Sequence, residues 1–434
     1  MKAAKRDMRD DLADVRYTPA EPDGELREAA RYATDNLVKL GVSFTGSDRD
    51  KAPWLVAARP FVLGDDLWER LERLGGAVFA LLDVAQDLYR EGDPAVRGHL
   101  DTGVPEDLRG FDLARYIEMF RLDVVVSEGR PLLTEVEEIF GNAGKAHAFE
   151  RAYGVSAAPL FETFRRLGIA HIWLDDGYPM YRSENELVAQ RMGEDFGMDV
   201  DVEPFSRFRD DGRMGWRFCY VKEFRQYDAK LRAEILDSAE RLVNPLFHGY
   251  GTKGLLSLAW DERLEDELAA RMGASQLAVL RAGVPRSAFM PEDPTPEFLD
   301  DLKAHGRRKV LKVVDSDGVE FTWGSRGVYF GDQSASRWHA AVDAAAAGHV
   351  PGHPEHTGTR FLISDLADSD RFDVEFLHPN SGELCLMPRA RLRLTPIFTR
   401  VGAGSSMLGG HATFVNTSRK VHLGRHAVCT PFTR

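Results

Sequence analysis

Residues 120–138 read FRLDVVVS, then EGR, then PLLTEVEE. Two β-rich runs joined by a Gly-containing turn predict a β-hairpin. Side chains alternate along a strand, so Glu135 and Glu137 share one face. With the turn centred on Glu128 and Gly129, Asp123 falls opposite residue 134 or 135. In the second register Asp123, Glu135 and Glu137 form one carboxylate cluster, and Arg121 projects from the same face. Carboxylates crowded on a rigid surface repel one another unless a cation sits among them, and hard oxygen donors favour Mg²⁺ or Mn²⁺ over zinc. The competing reading is a solvated sheet face in an acidic protein. Val124–Val126 and Leu132–Leu133 flank the charges, so part of the hairpin is buried.

Upstream, Leu67, Leu71, Leu74, Val78, Leu81, Leu82, Ala85 and Leu88 recur at helical spacing and predict one long amphipathic helix over 65–89. Before it, residues 1–50 read as a polar arm with a helix near Glu25 to Leu40. Downstream, 155–250 alternates. LFETFRRLGI is a helix and AHIWLDD a strand, ENELVAQRMGEDFG a helix and MDVDVEP a strand. WRFCYVKEF is a further strand, and KLRAEILDSAERLVNPL a helix running into a short strand. That alternation predicts a small parallel sheet with helices on its faces. Residues 253–270 read as another helix, followed by a Pro-rich connection over 284–296. The tail from Arg307 is mostly strand, with one helix at 334–347. The fold class is α+β with an α/β insert. The units are an arm (1–50), a helix plus carboxylate hairpin (51–154), an α/β domain (155–250) and a lysine-bearing C-terminal part (251–434).

The chain has 434 residues, 43% hydrophobic and 29% charged, which suits a protein of two or three packed subdomains. Its 56 basic and 69 acidic residues leave a net charge of −13, which disfavours nucleic acid as a partner. No apolar run is long enough for a membrane helix, and the charged N-terminal stretch does not read as a signal peptide. Three scattered cysteines fit neither a disulfide framework nor a zinc knuckle. A cytoplasmic location is the expectation.

Lys309-Val-Leu-Lys312-Val-Val is a short apolar strand in which Lys312 shares a face with Val310 and Val314. A partly buried lysine needs an anion, and a nucleotide phosphate would serve. Trp323-Gly324-Ser325-Arg326-Gly327-Val follows, a loop that can offer backbone N–H groups to phosphate oxygens with Arg326 as a clamp. Taken alone such a loop is a common turn; after a lysine strand and before a helix it says more. Asn244-Pro245 and Gly251-Thr-Lys253-Gly-Leu-Leu-Ser-Leu-Ala-Trp-Asp-Glu place another lysine ahead of a helix. Arg389, Arg391 and Arg393 alternate along one strand face, which suits substrate carboxylates or phosphates, or a salt-bridged outer face. Gly402–Gly410 reads as a substrate loop or a plain connection. His411, His422 and His426 lack metal spacing and read as structural or exposed.

Together these segments resemble the ATP-grasp superfamily, and within it the circularly permuted branch that includes glutathionylspermidine synthetase. In that branch the metal carboxylates precede the nucleotide lysines, as they do here. Arg121-x-Asp123 and Glu135-x-Glu137 resemble the R-x-D and E-x-N motif, with Glu137 where the pattern has Asn. Asn244-Pro and the Lys253 segment resemble the N-P and N-K-x-L-L-x-L-L-W-E motifs, Val310-Leu-Lys312 the V-x-K strand, and Gly324–Gly327 the glycine-rich flap. Arg360-Phe-Leu-Ile-Ser-Asp-Leu resembles the strand leading to the adenine hinge, placing that hinge at Ser364–Leu366.

The resemblance implies an ATP-grasp fold with a small inserted pre-ATP-grasp-like domain and ligation of a carboxylate to an amine through an acylphosphate. Asp123, Glu135 and Glu137 would hold Mg²⁺. Lys253, Lys312, Gly324, Ser325, Gly327, Asp365 and Leu366 would bind ATP. Arg121 and Arg326 would act on the transferring phosphoryl group, and Arg389, Arg391 and Arg393 on substrate. Amino acids or peptides are the expected substrates, with a γ-glutamyl dipeptide ligase as the leading version. A glutathionylspermidine-type ligase, a non-catalytic nucleotide-binding scaffold and a metal-dependent hydrolase are the alternatives.

Overall fold

The computed structural model describes residues 12, 14–21, 23–40, 54–141, 143–178, 181–316, 322, 326–402, 404–424 and 426–434. Within them the chain is a mixed α+β protein built on a large sheet. The hairpin runs Met119–Ser127 and Arg130–Glu137. Its turn has positive φ at both Glu128 (52°) and Gly129 (68°), the left-handed pair that matches strand twist. Both turn N–H groups donate to the Asp370 carboxylate at 2.8 Å, which holds a non-glycine residue in that conformation.

The hairpin lies at one end of a nine-stranded sheet. From the other end the order is Leu55–Val56, Val428–Thr433, Gly404–Val415, Leu384–Val401, then the two hairpin strands. Thr18–Pro19 and Arg371–Leu377 pair with Leu384–Val401, and Phe61–Val62 with Val428–Thr433. The predicted long helix spans Asp65–Glu91 and stops at Gly92, whose φ of 87° gives a left-handed C-cap. It buries Leu71, Leu74, Val78, Leu81, Leu82, Ala85 and Leu88 in the same core as Phe120, Leu122, Val124 and Leu133 of the hairpin. Gly75 lets it approach the sheet, since a Cβ there would lie 2.3 Å from the Phe398 ring.

The α/β segment forms a parallel sheet in the order Asp201–Pro204, Ile169–Leu174, Met214–Phe218, Leu242–Val243. A third, antiparallel sheet runs Ser287–Phe289, Arg360–Asp365, Lys309–Asp315, Val328–Phe330. Leu311 and Val313 of this sheet pack with Trp338, Ala341 and Val342 of helix Ala335–Ala346 and with Leu302 of helix Pro296–Ala304. Val310 and Lys312 face the other way, toward the hairpin. The 251–434 stretch therefore serves two sheets: its lysine strand builds the small one, and 371–433 completes the large one.

The structure corrects the reading in four places. WRFCYVKEF is a strand only to Phe218; Val221–Gln226 is a 3₁₀ turn, because the Glu223 side chain takes the Tyr220 N–H at 3.0 Å and ends the extended run. The helix expected over 253–270 is 3₁₀ at Leu255–Trp260 and Glu262–Leu264 and α-helical only at Glu265–Met272. Asp261 accepts from Arg263 N–H and from His99 and resets the chain there. Gly402–Gly410 lies largely within strand Gly404–Val415, where Gly410 admits the Thr395 carbonyl at 2.3 Å from where a Cβ would be. Arg389 leaves the arginine row: its φ is 52°, its N–H donates to Asp373, and the pairing slips between Phe372 and Val374. No described helix is long and apolar enough to cross a membrane.

Candidate functional site

The hairpin register pairs Arg121 with Glu137 and Asp123 with Glu135, while Val124 pairs with Leu133. Thr134 is thus a bulge residue with no partner across the strand. Its hydroxyl turns back to the Asp123 carbonyl at 3.0 Å, and its own carbonyl accepts from Lys312 Nζ at 3.2 Å. One bulge both sets the carboxylate register and anchors the lysine of the opposing sheet.

The base of the hairpin is locked to the α/β segment. Asn244, at φ 63°, donates to the carbonyls of Met119 (2.8 Å) and Glu138 (2.7 Å) and accepts from Glu118 N–H (2.9 Å) and Met119 N–H (3.2 Å). Glu138 forms a wholly buried ion pair with Arg217, which also donates to the Cys219 carbonyl at 2.6 Å. These bonds fix Glu135 and Glu137 on rigid backbone rather than on a loop.

On the functional face, Arg121 Nη2 lies 3.2 Å from Asp123 Oδ1 and 3.4 Å from Glu137 Oε1. Arg393 meets Asp123 Oδ2 at 2.8 Å. Tyr220 donates its hydroxyl to Glu137. Burial, with Glu135 and Asp123 beside it, pushes the Glu137 carboxyl up from its ordinary value. Asp123 Oδ1 is buried without a hydrogen bond, and Glu135 makes neither hydrogen bond nor ion pair among the described residues. An oxygen-only donor set with the Glu135 carboxylate open and the Glu137 carboxyl raised by burial and by its like-charged neighbours fits a hard divalent cation. Two arginines engage Asp123, and Arg121 and Tyr220 engage Glu137, so Glu135 is the carboxylate of the three most open to a cation.

A cleft separates the hairpin from the small antiparallel sheet. Asp123, Thr134, Glu135 and Lys312 line its charged end, and Val284, Pro285, Val310, Leu362 and Leu366 its apolar end. Lys312 is half-buried, and desolvation lowers its pKa while Glu135 opposes the fall. Lys253 reaches the same place from the other side, donating to the carbonyls of Val313 (3.2 Å) and Thr322 (2.8 Å). Its segment is packed tightly: a Cβ at Gly254 would lie 2.3 Å from the His99 carbonyl oxygen, and one at Gly251 2.7 Å from the Tyr220 ring. Burial brings Lys253 down to about 8, with Lys222 and Lys312 adding to the shift and Glu135 and Glu137 resisting it.

The structure thus brings together Arg121, Asp123, Glu135, Glu137, Lys253, Lys312 and Arg393, with Asp365 and Leu366 along the cleft. Asp365 is also paired with Lys309 at 2.6 Å. Arg391 stands outside, near Asp368 at 3.5 Å, and Arg389 is exposed. Arg326 is exposed; burial raises the pKa of the Tyr178 phenol, and the Arg326 charge opposes that rise. Gly327 accepts from Val313 N–H at 2.8 Å. Gly324 and Ser325 lie outside the described residues.

Sequence reasoning missed Tyr220, Lys222, Lys145 and His411. The first two were hidden in a stretch read as strand. Lys145, on helix Ala143–Tyr153, and His411 join Arg121, Glu137 and Arg393 around a second pocket behind the hairpin. His411 is held neutral there by burial and by Lys145, Arg393 and Arg121.

No family model matches the chain, and no curated protein matches it in sequence. Among solved structures it is similar to a glutathione synthetase-like effector from Globodera pallida, solved without ligand, with TM-score 0.52 and 12% identity, covering 94% of each chain. A protein from Methylobacillus flagellatus KT, provisionally named a gamma-glutamylcysteine synthetase, aligns with TM-score 0.41 and 10% identity, over 83% of this chain and 88% of that one. The first likeness shows a fold shared with that protein along nearly the whole chain.

Proposed function

We propose that this protein is an ATP-dependent carboxylate–amine ligase of the circularly permuted ATP-grasp type, joining the carboxylate of one amino acid to the amine of another. The observation that carries this reading is the convergence of Glu135 and Glu137 with Lys253 and Lys312, brought from separate elements across a cleft whose far end is apolar. The likeness to a glutathione synthetase-like protein supports it.

In this reading ATP is a substrate, its base in the apolar end near Leu366 and its phosphates on Lys253 and Lys312. Glu135 and Glu137, with Asp123 beside them, would hold a divalent cation, Mg²⁺ or Mn²⁺, which would supply charge neutralisation for phosphoryl transfer. Tyr220 and Arg121 hold Glu137 in place. Arg121 also faces the second pocket, where Arg393 and Lys145 add positive charge and Tyr181, Phe218 and Leu423 add apolar wall, a setting for the acid substrate. The acid's carboxylate attacks the γ-phosphate, the bond to ADP breaks, and an acylphosphate forms. The amine then attacks the acyl carbon; the C–N bond forms, the bond to phosphate breaks, and the amine's proton leaves with inorganic phosphate. The arginine and lysine side chains stabilise the transferring charge.

The test is ADP and phosphate release by purified protein with Mg²⁺, ATP and pools of amino acids, followed by mass spectrometry. Release that requires an amino acid, with a product one water lighter than two substrates combined, is the expected result. ATP hydrolysis indifferent to every pool, or no ATP binding, would overturn the reading.

A further inference from the structure

Beyond Lys253 the cleft opens into a separate pocket lined by Thr102, Gly103, Lys222, Arg225, Lys253 and Asp315, among others. Glu135, Tyr220 and Lys253 face both this pocket and the cleft; Lys312 faces only the cleft and Lys222 only the pocket. The two lysines therefore stand on opposite sides of the Glu135 carboxylate.

Lys222 sits one residue into the 3₁₀ turn Val221–Gln226, with its ammonium 5.8 Å from the centre of the Tyr220 ring. Among the described residues it makes no hydrogen bond and no ion pair, and neither does Asp315 across the pocket. Glu223, Arg225, Glu135 and Asp315 are the charges that act on it, and burial lowers its pKa. Withdrawing an ammonium from water without a partner is costly. The opposite wall is shaped for its carboxylate: Gly103, at φ 76°, leaves room that a Cβ would take at 2.8 Å from Asp315 Oδ1. A cation and an anion, neither hydrogen-bonded nor ion-paired among the described residues, face one pocket next to the reacting centre. A ligand carrying both charges would satisfy both.

We infer that this pocket is the acceptor subsite and that it takes an amine bearing its own carboxylate, an α-amino acid, with that carboxylate on Lys222 and the amino group toward Asp315. The inference rests on the ligase reading. Phosphate oxygens are served by Lys253 and Lys312 on the cleft side, so Lys222 sets acceptor specificity rather than nucleotide affinity. Removing a charge-assisted hydrogen bond of this kind weakens binding by about 10-fold or more.

The experiment uses the full chain, the twenty amino acids as acids, and as acceptors either the same amino acids, their carboxamides, or hydroxylamine, which has no carboxylate and traps an acylphosphate as hydroxamate. For the wild type, kcat/KM for amino-acid acceptors should exceed that for the carboxamides by at least about tenfold. In Lys222→Gln that preference should collapse through the acceptor KM, by a factor larger than any change in hydroxamate formation or in the KM for ATP. Lys222→Arg should restore part of it. Equal use of acids and carboxamides by the wild type, or a Lys222→Gln defect confined to the KM for ATP, would overturn the subsite while hydroxamate formation still upheld the ligase. Absence of hydroxamate with every acid would overturn the ligase reading and the subsite with it.

Discussion

Two groups of charge meet at the end of one hairpin strand, around Glu135 and around Glu138 just past its last residue, and they are treated in opposite ways. At the hairpin base, Glu138 is paired with Arg217, Arg217 is also bonded to the Cys219 carbonyl, and Asn244 fastens both strands. On the face above, Glu135 makes no hydrogen bond or ion pair among the described residues, and Lys222 and Asp315 share one pocket without meeting. A paired buried charge loses much when either partner is removed, because the other is left uncompensated. An unpaired one loses little in the free protein and much when the missing ligand arrives. The difference separates residues that hold the site from residues that are the site.

The strongest way to break that distinction is to remove the unpaired charges. Glu135→Ala and Lys312→Ala should lower ATP-dependent turnover by about 10³-fold or more, since metal and phosphate contacts carry most of the stabilisation in phosphoryl transfer. The Glu135→Ala melting temperature should stay within about 2 °C of wild type by circular dichroism, as for a substitution that breaks no native contact. A Glu135→Ala protein that unfolds would show that the carboxylate is structural after all. Glu138→Ala should do the reverse, costing about 3–5 kcal/mol in urea unfolding by stranding Arg217. If it unfolds at the wild-type urea concentration, the base is not the lock described here. Asn244→Gly tests a smaller part of that lock. Glycine keeps the positive φ and loses only the side-chain bonds, so a cost of about 1–3 kcal/mol is expected in the same titration.

These residues also show what a sequence can carry. The hairpin, the long helix and the parallel sheet were legible because local alternation and helical spacing persisted over whole elements. The carboxylate register was half legible: two registers were open, and the Thr134 bulge chose between them. That bulge depends on a contact with Lys312, 178 residues away. Tyr220 and Lys222 were illegible for a different reason. WRFCYVKEF alternates as a strand does, and only the Glu223 side chain taking the Tyr220 N–H turns it into a 3₁₀ segment that aims Lys222 at the site. The arginine row failed at Arg389 because a positive φ and a slipped pairing rotate one residue out of an otherwise regular strand.

Lys253 stands between the two classes, and its titration sharpens the comparison. It has two carbonyl acceptors but no ion-pair partner, and burial holds its pKa at about 8. Below that value it is charged and ready for phosphate; above it the free protein loses the proton, and nucleotide binding must restore it. Affinity for ADP with divalent cations chelated, so that the Glu137 carboxyl raised to about 8 does not set metal binding, should therefore be level up to about pH 8 and then fall, approaching tenfold per pH unit. Calorimetric titration between pH 7 and 9.5 reads this directly, with inorganic phosphate omitted. Lys253→Arg, charged throughout that range, should flatten the profile even if its affinity is lower. A wild-type profile that stays level to pH 9.5 would mean that Lys253 keeps its proton without a ligand, and so belongs with the paired charges of the base rather than with Glu135 and Lys222.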